Sequence, residues 1–538
     1  MPRLAGMALL AGSGERQPVG KAFHANPLPE GRHSGLSLKA SMMKTVRLSE
    51  IDNVSTAIQT LEIGDDGVCE RIPKGHKIST SFIASGEAVR KYAQLIGHAS
   101  RDIPKGFHVH THNLAFGNVD AEYEFCTNVA PVAPAENIDT FMGYRRPDGR
   151  VGTRNYIAII TSVNCSATAA RLIAEHFTPQ KLADYPNIDG VAAFVHGTGC
   201  GMAGSGDGFE ALQRVMWGYA RHPNVGGVLM AGLGCEMNQI DWLLEAYGMK
   251  SGPMFQTMNI QDVGGLRKTV ELGIRKVAAM LPVANDVRRE PSPASELMVA
   301  LQCGGSDAWS GITANPAVGH ACDLLVGQGG TGLLAETPEI YGAEHLLTAR
   351  AVDRKVGEKL VDLIRWWEDY TSRNHGSMDN NPSPGNKRGG LTTILEKSLG
   401  AASKGGTSPL AGVYKYAERV KTRGFAFMDS PGYDPASVTG QIAGGCNLVV
   451  FTTGRGSAFG SKPAPTVKVA TNSEMYNRLE DDMDIDAGPI LSGDSSIEEI
   501  GREIYTSLLA VASGGKSKSE AQGLGDHEFV PWQIGAVM

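Results

Sequence analysis

Short apolar runs alternate with amphipathic segments along the middle of the chain. Three of these runs are apolar and β-branched throughout, "YIAIITSVNC", "GVAAFVHGTGC" and "GGVLMAGLGC", and each leads into a helix-like segment such as "SATAARLIAEHF". Uniformly apolar runs of this length are typical of strands buried on both faces of a sheet. The pattern predicts βαβ units and a parallel sheet.

Each of these predicted strands ends in a cysteine. Cys165, Cys200 and Cys235 follow one another at equal spacings of 35 residues, and a fourth apolar run, "ELMVALQC", ends at Cys303. The carboxyl ends of parallel strands share one edge, where ligands bind in such sheets, so we expect the four thiols at a common edge. Thiolates bind iron or zinc, and three cysteines can hold an iron–sulfur cluster. The alternative is that small cysteines fill tight corners between strand and loop.

Composition shifts predict five segments. Residues 1–42 are polar and rich in Gly and Pro, which indicates a disordered extension; a native start downstream of it is an alternative. Residues 43–118 have the alternation of a small, mostly β domain, and residues 119–140 contain the Pro/Ala-rich linker "VAPVAPAEN". Two α/β segments follow, 141–290 and 291–538. The predicted fold class is α/β: a small β domain, then one or two parallel-sheet domains.

The overall composition narrows the class of protein. Of 538 residues, 42% are hydrophobic and 20% charged, as in ordinary globular proteins. A net charge of −7 gives no reason to expect nucleic acid or an anionic membrane as partner. We find no apolar run long enough to span a bilayer, and eight cysteines are too few for a secreted disulfide scaffold. A cytoplasmic protein is expected, and a homo-oligomer is compatible with this composition.

The segment "HVHTHN" places histidines at alternate positions. In a strand, His108, His110 and His112 would share one face, which suits a divalent metal or a polyanion. A solvated face on an edge strand is the alternative. The segment "KGHKIS" adds His76 and Lys77 to the same small domain.

The loop "LQCGGSDAWSGITANPAVG" combines glycines with many polar groups. Hydroxyl, carboxylate and amide side chains on a flexible segment suit a ligand whose many hydroxyls each need a partner. Its polar residues, with those of other loops that follow predicted strands, are Ser306, Asp307, Ser310, Thr313, Asn315, Glu336, Glu339, Asn386, Lys387, Arg455, Lys468 and Asn472. Each alone more often caps a helix or forms a turn. Together they predict a site for a small hydroxylated acid, with Arg455 placed to clamp a carboxylate.

Eight motifs in chain order resemble the altronate and galactarate dehydratase family: "GHK", "HVHTHN", "GRVGTRN", "GLGCE", "CGGSDAWSGITANP", "NPSPGNKRGG", "TTGRG" and "KVATNS". The likeness covers about residues 44–538. It implies a SAF-type first domain, dehydration of an aldonic or aldaric acid to a 2-keto-3-deoxy acid, and dependence on ferrous iron, either mononuclear or in a cluster. "HVHTHN" looks like the altronate branch, whereas "CGGSDAWSGITANPAVG" looks as close to the galactarate branch. Altronate is therefore the expected substrate, and galactarate or another sugar acid the alternative.

The chemistry of dehydration assigns roles to the candidate residues. A general base must remove the C2 proton and a general acid must protonate the C3 hydroxyl; we expect His76 or Lys387 to transfer a proton. Arg455 and Lys468 would hold the carboxylate. The expected hydroxyl-binding residues are Ser306, Asp307, Thr313, Asn315, Asn386 and Asn472, and the expected iron ligands are Cys165, Cys200, Cys235 and Cys303, with His108, His110 and His112 as the alternative. From another class, a sugar-acid-binding protein without catalysis is the competing hypothesis.

Overall fold

The computed structural model describes residues 44–117 and 122–535. The disorder predicted for residues 1–42 concerns a segment outside these ranges.

The first domain is built from short antiparallel strands. The strands are β1 (Thr45–Val46), β2 (Val54–Ala57), β3 (Lys77–Ser79), β4 (Ala88–Lys91), β5 (Gln94–Ala99), β6 (His108–Val109) and β7 (Leu114–Ala115). They form two sheets, in the orders β1-β2-β3-β6 and β4-β5-β7. The apolar core beneath them, which includes Val89 and Ile96, also contains Leu399 and Ala402 of the third domain. The predicted small β domain is confirmed, and it is docked on the rest of the chain.

The described part of the linker, residues 122–139, lies along the third domain without helix or strand. The Cys126 amide donates to the Thr348 carbonyl at 3.2 Å, and the Ala135 amide donates to the Gly327 carbonyl at 2.9 Å. The segment is therefore fastened by backbone hydrogen bonds.

The second domain contains the predicted βαβ units. Its elements are β8 (Thr140–Arg145), β9 (Val151–Gly152), β10 (Tyr156–Thr161), α1 (Ala167–His176), β11 (Gly190–Phe194), α2 (Asp207–Ala220), β12 (Val225–Gly232), α3 (Ile240–Ala246), β13 (Phe255–Asn259), α4 (Ile260–Val263), α5 (Leu266–Asn285) and β14 (Arg289–Pro293). The parallel sheet has the order β11-β10-β12-β13, and all six residues of β10 are buried, as its apolar run predicts. Strand β14 pairs with β8, so the last strand of the domain returns to its first.

The third domain has a parallel sheet of its own. Its elements are β15 (Met298–Cys303), α6 (Ala314–Gly327), β16 (Thr331–Leu334), α7 (Glu344–Thr348), α8 (Arg354–Arg373), α9 (Pro384–Arg388), α10 (Ile394–Ser403), β17 (Leu410–Tyr414), β18 (Gly424–Met428), α11 (Asp434–Gly444), β19 (Leu448–Thr453), β20 (Thr466–Ala470), α12 (Ser473–Arg478), β21 (Ile485–Asp486), α13 (Pro489–Ser492), α14 (Ile497–Ala512) and α15 (Lys518–Ala521). Seven strands lie in the order β17-β18-β16-β15-β19-β20-β21. The chain leaves β15 toward one side and returns at β19 on the other, which makes a topological switch point between these two strands.

The two α/β domains share one hydrophobic core. Helix α2 of the second domain packs against α11 of the third, and Met216, Tyr219 and Ile442 belong to the same buried cluster. Among the helices of residues 44–117 and 122–535, none is both long and apolar enough to cross a membrane.

Candidate functional site

The glycine-rich loop after β15 meets the loop after β19 at the switch point of the large sheet. The Gly304 amide donates to the Thr452 carbonyl at 3.0 Å, and the Arg455 amide donates to the Gly305 carbonyl at 3.0 Å. Ligands of open α/β sheets bind at this position, beyond the carboxyl ends of the strands. The sequence-based prediction that this polar loop lies at a sheet edge is thus confirmed.

Asp307 fastens these loops together. Its buried carboxylate accepts hydrogen bonds from the amides of Trp309 and Ser310, both at 3.0 Å, and from the Thr471 hydroxyl, also at 3.0 Å. The Asn472 amide group donates to it at 3.2 Å. A Cβ at Gly454 would lie only 2.1 Å from the Asp307 carboxyl carbon, so only glycine allows this approach. Asp307 and Asn472 therefore hold the loops together, and their contact with a ligand stays a prediction.

Four other predicted ligand-binding residues are also bonded within the protein. The bonds run from Thr313 Oγ1 to the Thr471 carbonyl at 2.8 Å, from Asn315 Nδ2 to the Gly400 carbonyl at 2.9 Å, from Asn386 Nδ2 to the Ser306 carbonyl at 2.8 Å, and from Lys468 Nζ to the Ser457 carbonyl at 2.9 Å. All four residues are buried. Buried polar side chains need such partners, so these residues shape the loops, and their direct contact with substrate stays a prediction.

Three predicted residues keep their side chains available. Within the described residues, the Ser306 hydroxyl, the Lys387 ammonium group and the Arg455 guanidinium group have no hydrogen-bond or ion-pair partner. Arg455 is exposed at the switch point, and Lys387 is half-buried in α9. These three side chains can therefore meet a ligand without breaking an existing contact.

A buried group of charged residues lies at the carboxyl ends of β15 and β16. We call Cys303, Glu336, Glu339, Lys397 and Lys404 the carboxylate–lysine cluster. Ligand atoms of Cys303, Glu336 and Glu339 lie within 4.8 Å of one another. Lys404 Nζ lies 2.9 Å from Cys303 Sγ, and Lys397 Nζ lies 2.6 Å from Glu339 Oε1. All five residues are buried. Buried titratable groups in such proximity are typical of functional sites.

Glu336 is the unusual member of this cluster. Within the described residues, neither of its buried carboxyl oxygens has a hydrogen-bond partner, and the nearest cation, Lys404 Nζ, is 3.9 Å away. Its backbone adopts the left-handed region with a φ of 73°. Burial, together with the neighbouring Glu339, raises the pKa of Glu336 well above its ordinary value. A carboxyl group that keeps its proton at neutral pH can act as a general acid.

Asp434 adds a second carboxyl group near the end of β15. A Cβ at Gly304, the residue after β15, would lie 2.3 Å from Asp434 Oδ2. Burial raises the pKa of Asp434 to about 7, and repulsion from Glu339 acts in the same direction. This carboxyl group is therefore partly protonated near neutral pH.

Three histidines of the first domain come together in the groove between it and the third domain. We call His76, His108 and His110 the histidine trio. Their ligand nitrogens lie within 4.8 Å of one another, with His76 Nδ1 only 2.9 Å from His108 Nε2. Strand β6 ends at Val109, so the predicted strand face of His108, His110 and His112 does not form. The chain turns, and His76, just before β3, completes the trio. His112 is exposed in the turn, where its ring lies 5.2 Å from that of His108, and it forms a second possible ligand group with His108 and Glu70.

The trio fits a divalent cation. Burial lowers the pKa values of His108 and His110 to about 3 and also lowers that of His76, so all three rings are neutral at pH 7, the form that binds metals. His110 Nδ1 is buried and has no partner within the described residues. His76 Nε2 lies 3.3 Å from the Arg388 carbonyl. The Arg388 carbonyl can only accept a hydrogen bond, so Nε2 of His76 carries the proton and Nδ1 keeps a lone pair that can bind a cation.

Residues 381–390 connect the histidine trio with the carboxylate–lysine cluster. At one end, Asn381 Nδ2 donates to Glu339 Oε1 at 2.7 Å. At the other end, the Arg388 carbonyl contacts His76, and Lys77 Nζ donates to the Gly390 carbonyl at 2.8 Å. The same segment carries Lys387. It therefore brings the cation site, a free lysine and the buried acids into one region covered by the first domain.

The strand-end cysteines separate into two groups. Cys165, Cys200 and Cys235 follow the adjacent strands β10, β11 and β12 and are all exposed, as the regular spacing predicts. Their loops are joined: the Asn164 amide donates to the Thr198 carbonyl at 3.0 Å, and the Asn238 amide donates to the Gly199 carbonyl at 3.1 Å.

Cys303 does not belong with these three. It ends a strand of the other sheet and is buried beside Lys404, so the expectation of four cysteines at one edge is corrected. Among the described residues, the sulfurs of Cys165, Cys200 and Cys235 form no set gathered within 4.8 Å, which does not suit a single ion.

Comparison with known proteins identifies the family. Residues 43–117 match the altronate/galactarate dehydratase SAF domain, residues 143–285 the second domain of D-galactarate dehydratase/altronate hydrolase, and residues 294–537 the C-terminal domain of D-galactarate/altronate dehydratase. The chain belongs to the altronate/galactarate dehydratase family. It is a hydro-lyase of this family, so the competing hypothesis of a binding protein without catalysis is set aside.

Individual relatives do not separate the two branches of the family. The chain is 37% identical to altronate dehydratase from Bacillus subtilis (strain 168) over 485 residues, which is 88% of this chain and 96% of that enzyme. It is 38% identical to galactarate dehydratase (L-threo-forming) from Escherichia coli (strain K12) over 489 residues, 88% of this chain and 93% of that enzyme. Altronate dehydratase from the same strain is 35% identical over 488 residues, with 89% and 97% coverage. Nearly equal identities leave the sugar acid open.

Sequence reasoning missed part of the site. The sequence pattern does not point to Lys397, Lys404 or Asp434. The two lysines are seven residues apart, Lys397 within the apolar helix "ILEKSLGAAS" and Lys404 just after it, so they lie on one face. Glu336 was noted only as a loop residue. Its position two residues after the buried strand β16 was a usable signal.

Proposed function

We propose that this protein dehydrates altronate to 2-keto-3-deoxygluconate and that the reaction takes place between the histidine trio and the carboxylate–lysine cluster. The observation that carries this proposal is Glu336, a buried carboxyl group without a hydrogen-bond partner among the described residues, next to Lys404 at the carboxyl edge of the large sheet. The "HVHTHN" segment, which supplies two members of the trio, favours altronate over galactarate. Galactarate is the alternative substrate.

Dehydration of a 2,3-dihydroxy acid needs two proton transfers. A base removes the hydrogen from C2, the C3 hydroxyl leaves as water after it is protonated, and the resulting enol rearranges to the 2-keto acid. We assign protonation of the leaving hydroxyl to Glu336, because burial and the neighbouring Glu339 raise the pKa of its carboxyl group and so favour the protonated form. We assign removal of the C2 proton to Lys387, which must act as the neutral amine. It is one of the two predicted proton-transfer residues, and its side chain has no partner among the described residues.

Positively charged side chains of the site would bind the substrate and stabilise the negative charge that develops on it. Arg455 can bind a carboxylate through two parallel hydrogen bonds, and Ser306 offers a hydroxyl beside it. The pKa values of Lys397 and Lys404 are raised, chiefly by the attraction of Glu339 and Cys303, which outweighs their burial. Both lysines therefore remain ammonium ions, able to stabilise negative charge near Glu336 without an added proton.

Ferrous iron, which the family resemblance implies, would be held by His76, His108 and His110. A bound divalent cation supplies Lewis-acid stabilisation of negative charge on a substrate oxygen. The second candidate is an iron–sulfur cluster on Cys165, Cys200 and Cys235, favoured by their position at the ends of three adjacent strands.

The proposal is tested with protein purified without oxygen. Altronate and galactarate are supplied separately with ferrous iron, and the 2-keto-3-deoxy product is measured. We expect altronate to give the higher kcat/KM. Faster turnover of galactarate would reverse the choice of substrate, and absence of a keto product from either acid would refute the proposed reaction. One iron per chain without inorganic sulfide supports the histidine trio, whereas comparable amounts of iron and sulfide support the cysteines.

A further inference from the structure

A cleft of about 800 Å³ lies between the second and third domains, away from the candidate active site. Its walls come from α2, from residues 417–423 and from the first residues of β15 and β16, Met298 and Thr331. These strand starts mark the amino edge of the large sheet, opposite the edge that carries Cys303 and Arg455. Pockets of this size are typical of small-molecule sites.

The lining of this cleft is cationic, although the chain as a whole carries a net charge of −7. Six cationic side chains face three acidic ones. The cationic residues are Arg150, Arg214, Arg221, Arg419, Lys421 and Arg423, and the acidic residues are Glu210, Glu296 and Glu418. A local excess of positive charge inside a concave surface attracts anions.

Part of this charge is neutralised by neighbours and part is not. Arg214 pairs with Glu210 at 3.4 Å, and Arg423 pairs with Glu296 at 3.1 Å. Asp148 lies 2.7 Å from Arg150 and 3.7 Å from Arg221. Within the described residues, no carboxylate lies within 4.0 Å of the side-chain nitrogens of Arg419. The same holds for Lys421, and both residues are exposed. Their charges are thus available to a ligand.

The cations are close enough to repel one another. Burial lowers the pKa of Arg221, and the nearby charges of Arg150 and Arg419 lower it further. The Arg221 guanidinium group lies over the Trp217 ring at 4.7 Å, and Trp217 stacks on Tyr247 with ring centroids 5.1 Å apart. The aromatic pair thereby holds one cation in a fixed place, where an anion would relieve the repulsion.

We propose that this cleft binds a small molecule with two or more anionic groups, a dicarboxylate or a phosphate compound. Guanidinium groups bind carboxylates and phosphates through paired hydrogen bonds. The available cations are Arg419 and Lys421, so a ligand with two anionic groups can contact both of them, whereas a monovalent ion cannot. The inference does not depend on which sugar acid the enzyme dehydrates.

Calorimetry on the full-length protein tests the proposal with pyrophosphate and malonate as separate probes, at constant ionic strength and with chloride as the blank. The test variant is Arg419→Ala/Lys421→Ala. The control variant, Lys359→Ala/Arg365→Ala, removes one lysine and one arginine from the exposed face of α8. We expect the wild type and the control to bind at least one probe, and the test variant to bind it at least about tenfold more weakly. Tighter binding of pyrophosphate would identify the ligand as a phosphate compound, and tighter binding of malonate would identify it as a dicarboxylate.

Three results would overturn the proposal. One is the absence of binding by the wild type beyond the chloride blank. Another is equal affinity in the Arg419→Ala/Lys421→Ala variant, which would place the anion elsewhere. The last is dissociation of an oligomer in that variant, measured as a lower molecular mass, when the wild type binds no anion. The cleft would then be a contact between subunits. Turnover of the sugar acid without added anion should be the same in all three proteins, because the cleft lies at the other edge of the sheet.

Discussion

At the scale of single residues, Glu336 combines two unfavourable features. A buried polar group without a partner costs about 1–3 kcal/mol, and a residue other than glycine in the left-handed region costs about 1–3 kcal/mol more. Glu339, in contrast, is bonded to Lys397 and Asn381. Costs of this kind are found at functional sites, where a reacting group must be available to the substrate.

The contrast between the two glutamates can be measured. Glu336→Gln should lower kcat at least about 100-fold, because the amide cannot donate a proton as an acid does, while the melting temperature is unchanged or higher. Glu339→Gln should lower stability by about 3–5 kcal/mol, because it leaves the buried Lys397 without its counter-charge. Wild-type kcat in Glu336→Gln would remove this residue from the mechanism.

The histidine trio makes a second prediction at this scale. His110→Ala should reduce the amount of ferrous iron bound per chain, because it removes one of three imidazoles that can surround the ion. His112→Ala, in the exposed turn, should bind iron like the wild type. Iron content after anaerobic gel filtration decides the matter. Equal iron content in both variants would instead favour Cys165, Cys200 and Cys235 as the iron ligands.

At the scale of elements, α10 connects the first domain with the carboxylate–lysine cluster. The helix is buried along almost its whole length. Glu396 accepts hydrogen bonds from Lys77 at 2.8 Å and from Lys91 at 2.9 Å, both in the first domain. The next residue, Lys397, faces Glu339, and Lys404 just beyond the helix faces Cys303. One helix therefore both docks the first domain and positions the two lysines.

Glu396 also makes the docking dependent on pH. Attraction by Lys77 and Lys91 holds the pKa of Glu396 far below its ordinary value, which is about 4.3 in an unfolded chain. Its contribution to stability is complete above that pH and is lost as the pH falls below it. The free energy of unfolding of the wild type should thus decrease from about pH 5 downward.

Glu396→Gln should lower stability at pH 7 by about 3–5 kcal/mol and flatten this acid dependence. The control is Glu474→Gln, since Glu474 also joins the first and third domains through Lys74 but is largely exposed. It should change stability by less than about 1 kcal/mol. Thermal unfolding between pH 3 and pH 7 makes the comparison, and equal acid dependence in Glu396→Gln and wild type would contradict the argument.

At the scale of the whole molecule, the C-terminal segment joins the second and third domains. Phe529 packs edge-on against Tyr219 at 4.7 Å and against Phe194 at 5.5 Å, both in the second domain. Beside it, the Val530 amide donates to the Thr439 hydroxyl of α11 at 3.0 Å. Trp532 stacks on Trp367 of α8 with ring centroids 5.2 Å apart. The segment therefore lies across both domains.

Phe529→Ala should destabilise the protein by about 3–5 kcal/mol, because it leaves a cavity between the two domains. The control, Trp242→Ala, removes an aromatic side chain that is 50% exposed and should have a much smaller effect. Denaturant unfolding followed by circular dichroism gives both values. A similar loss in the two variants would show that the shared core does not depend on Phe529.

Much of the fold follows from local patterns. The uniformly apolar runs that end at Cys165, Cys200 and Cys235 form adjacent parallel strands, because burial on both faces of a sheet selects such runs regardless of the rest of the chain. The family can likewise be recognised from short sequence motifs. The second parallel sheet, to which Cys303 belongs, could not be distinguished from an extension of the first, since strand order depends on contacts between distant segments.

Only part of the candidate site could be predicted from the sequence. Sequence placed the polar loop at a sheet edge and the histidines in one small domain, because the residue types and the ends of apolar runs are local features. Tertiary structure decided that Asp307, Thr313 and Asn315 form hydrogen bonds that hold the loops, and that His76 joins His108 and His110. It also decided that Glu336 has no hydrogen-bond partner among the described residues. Hydrogen bonding and burial of a side chain depend on residues that are distant in the sequence, so only the folded chain specifies them.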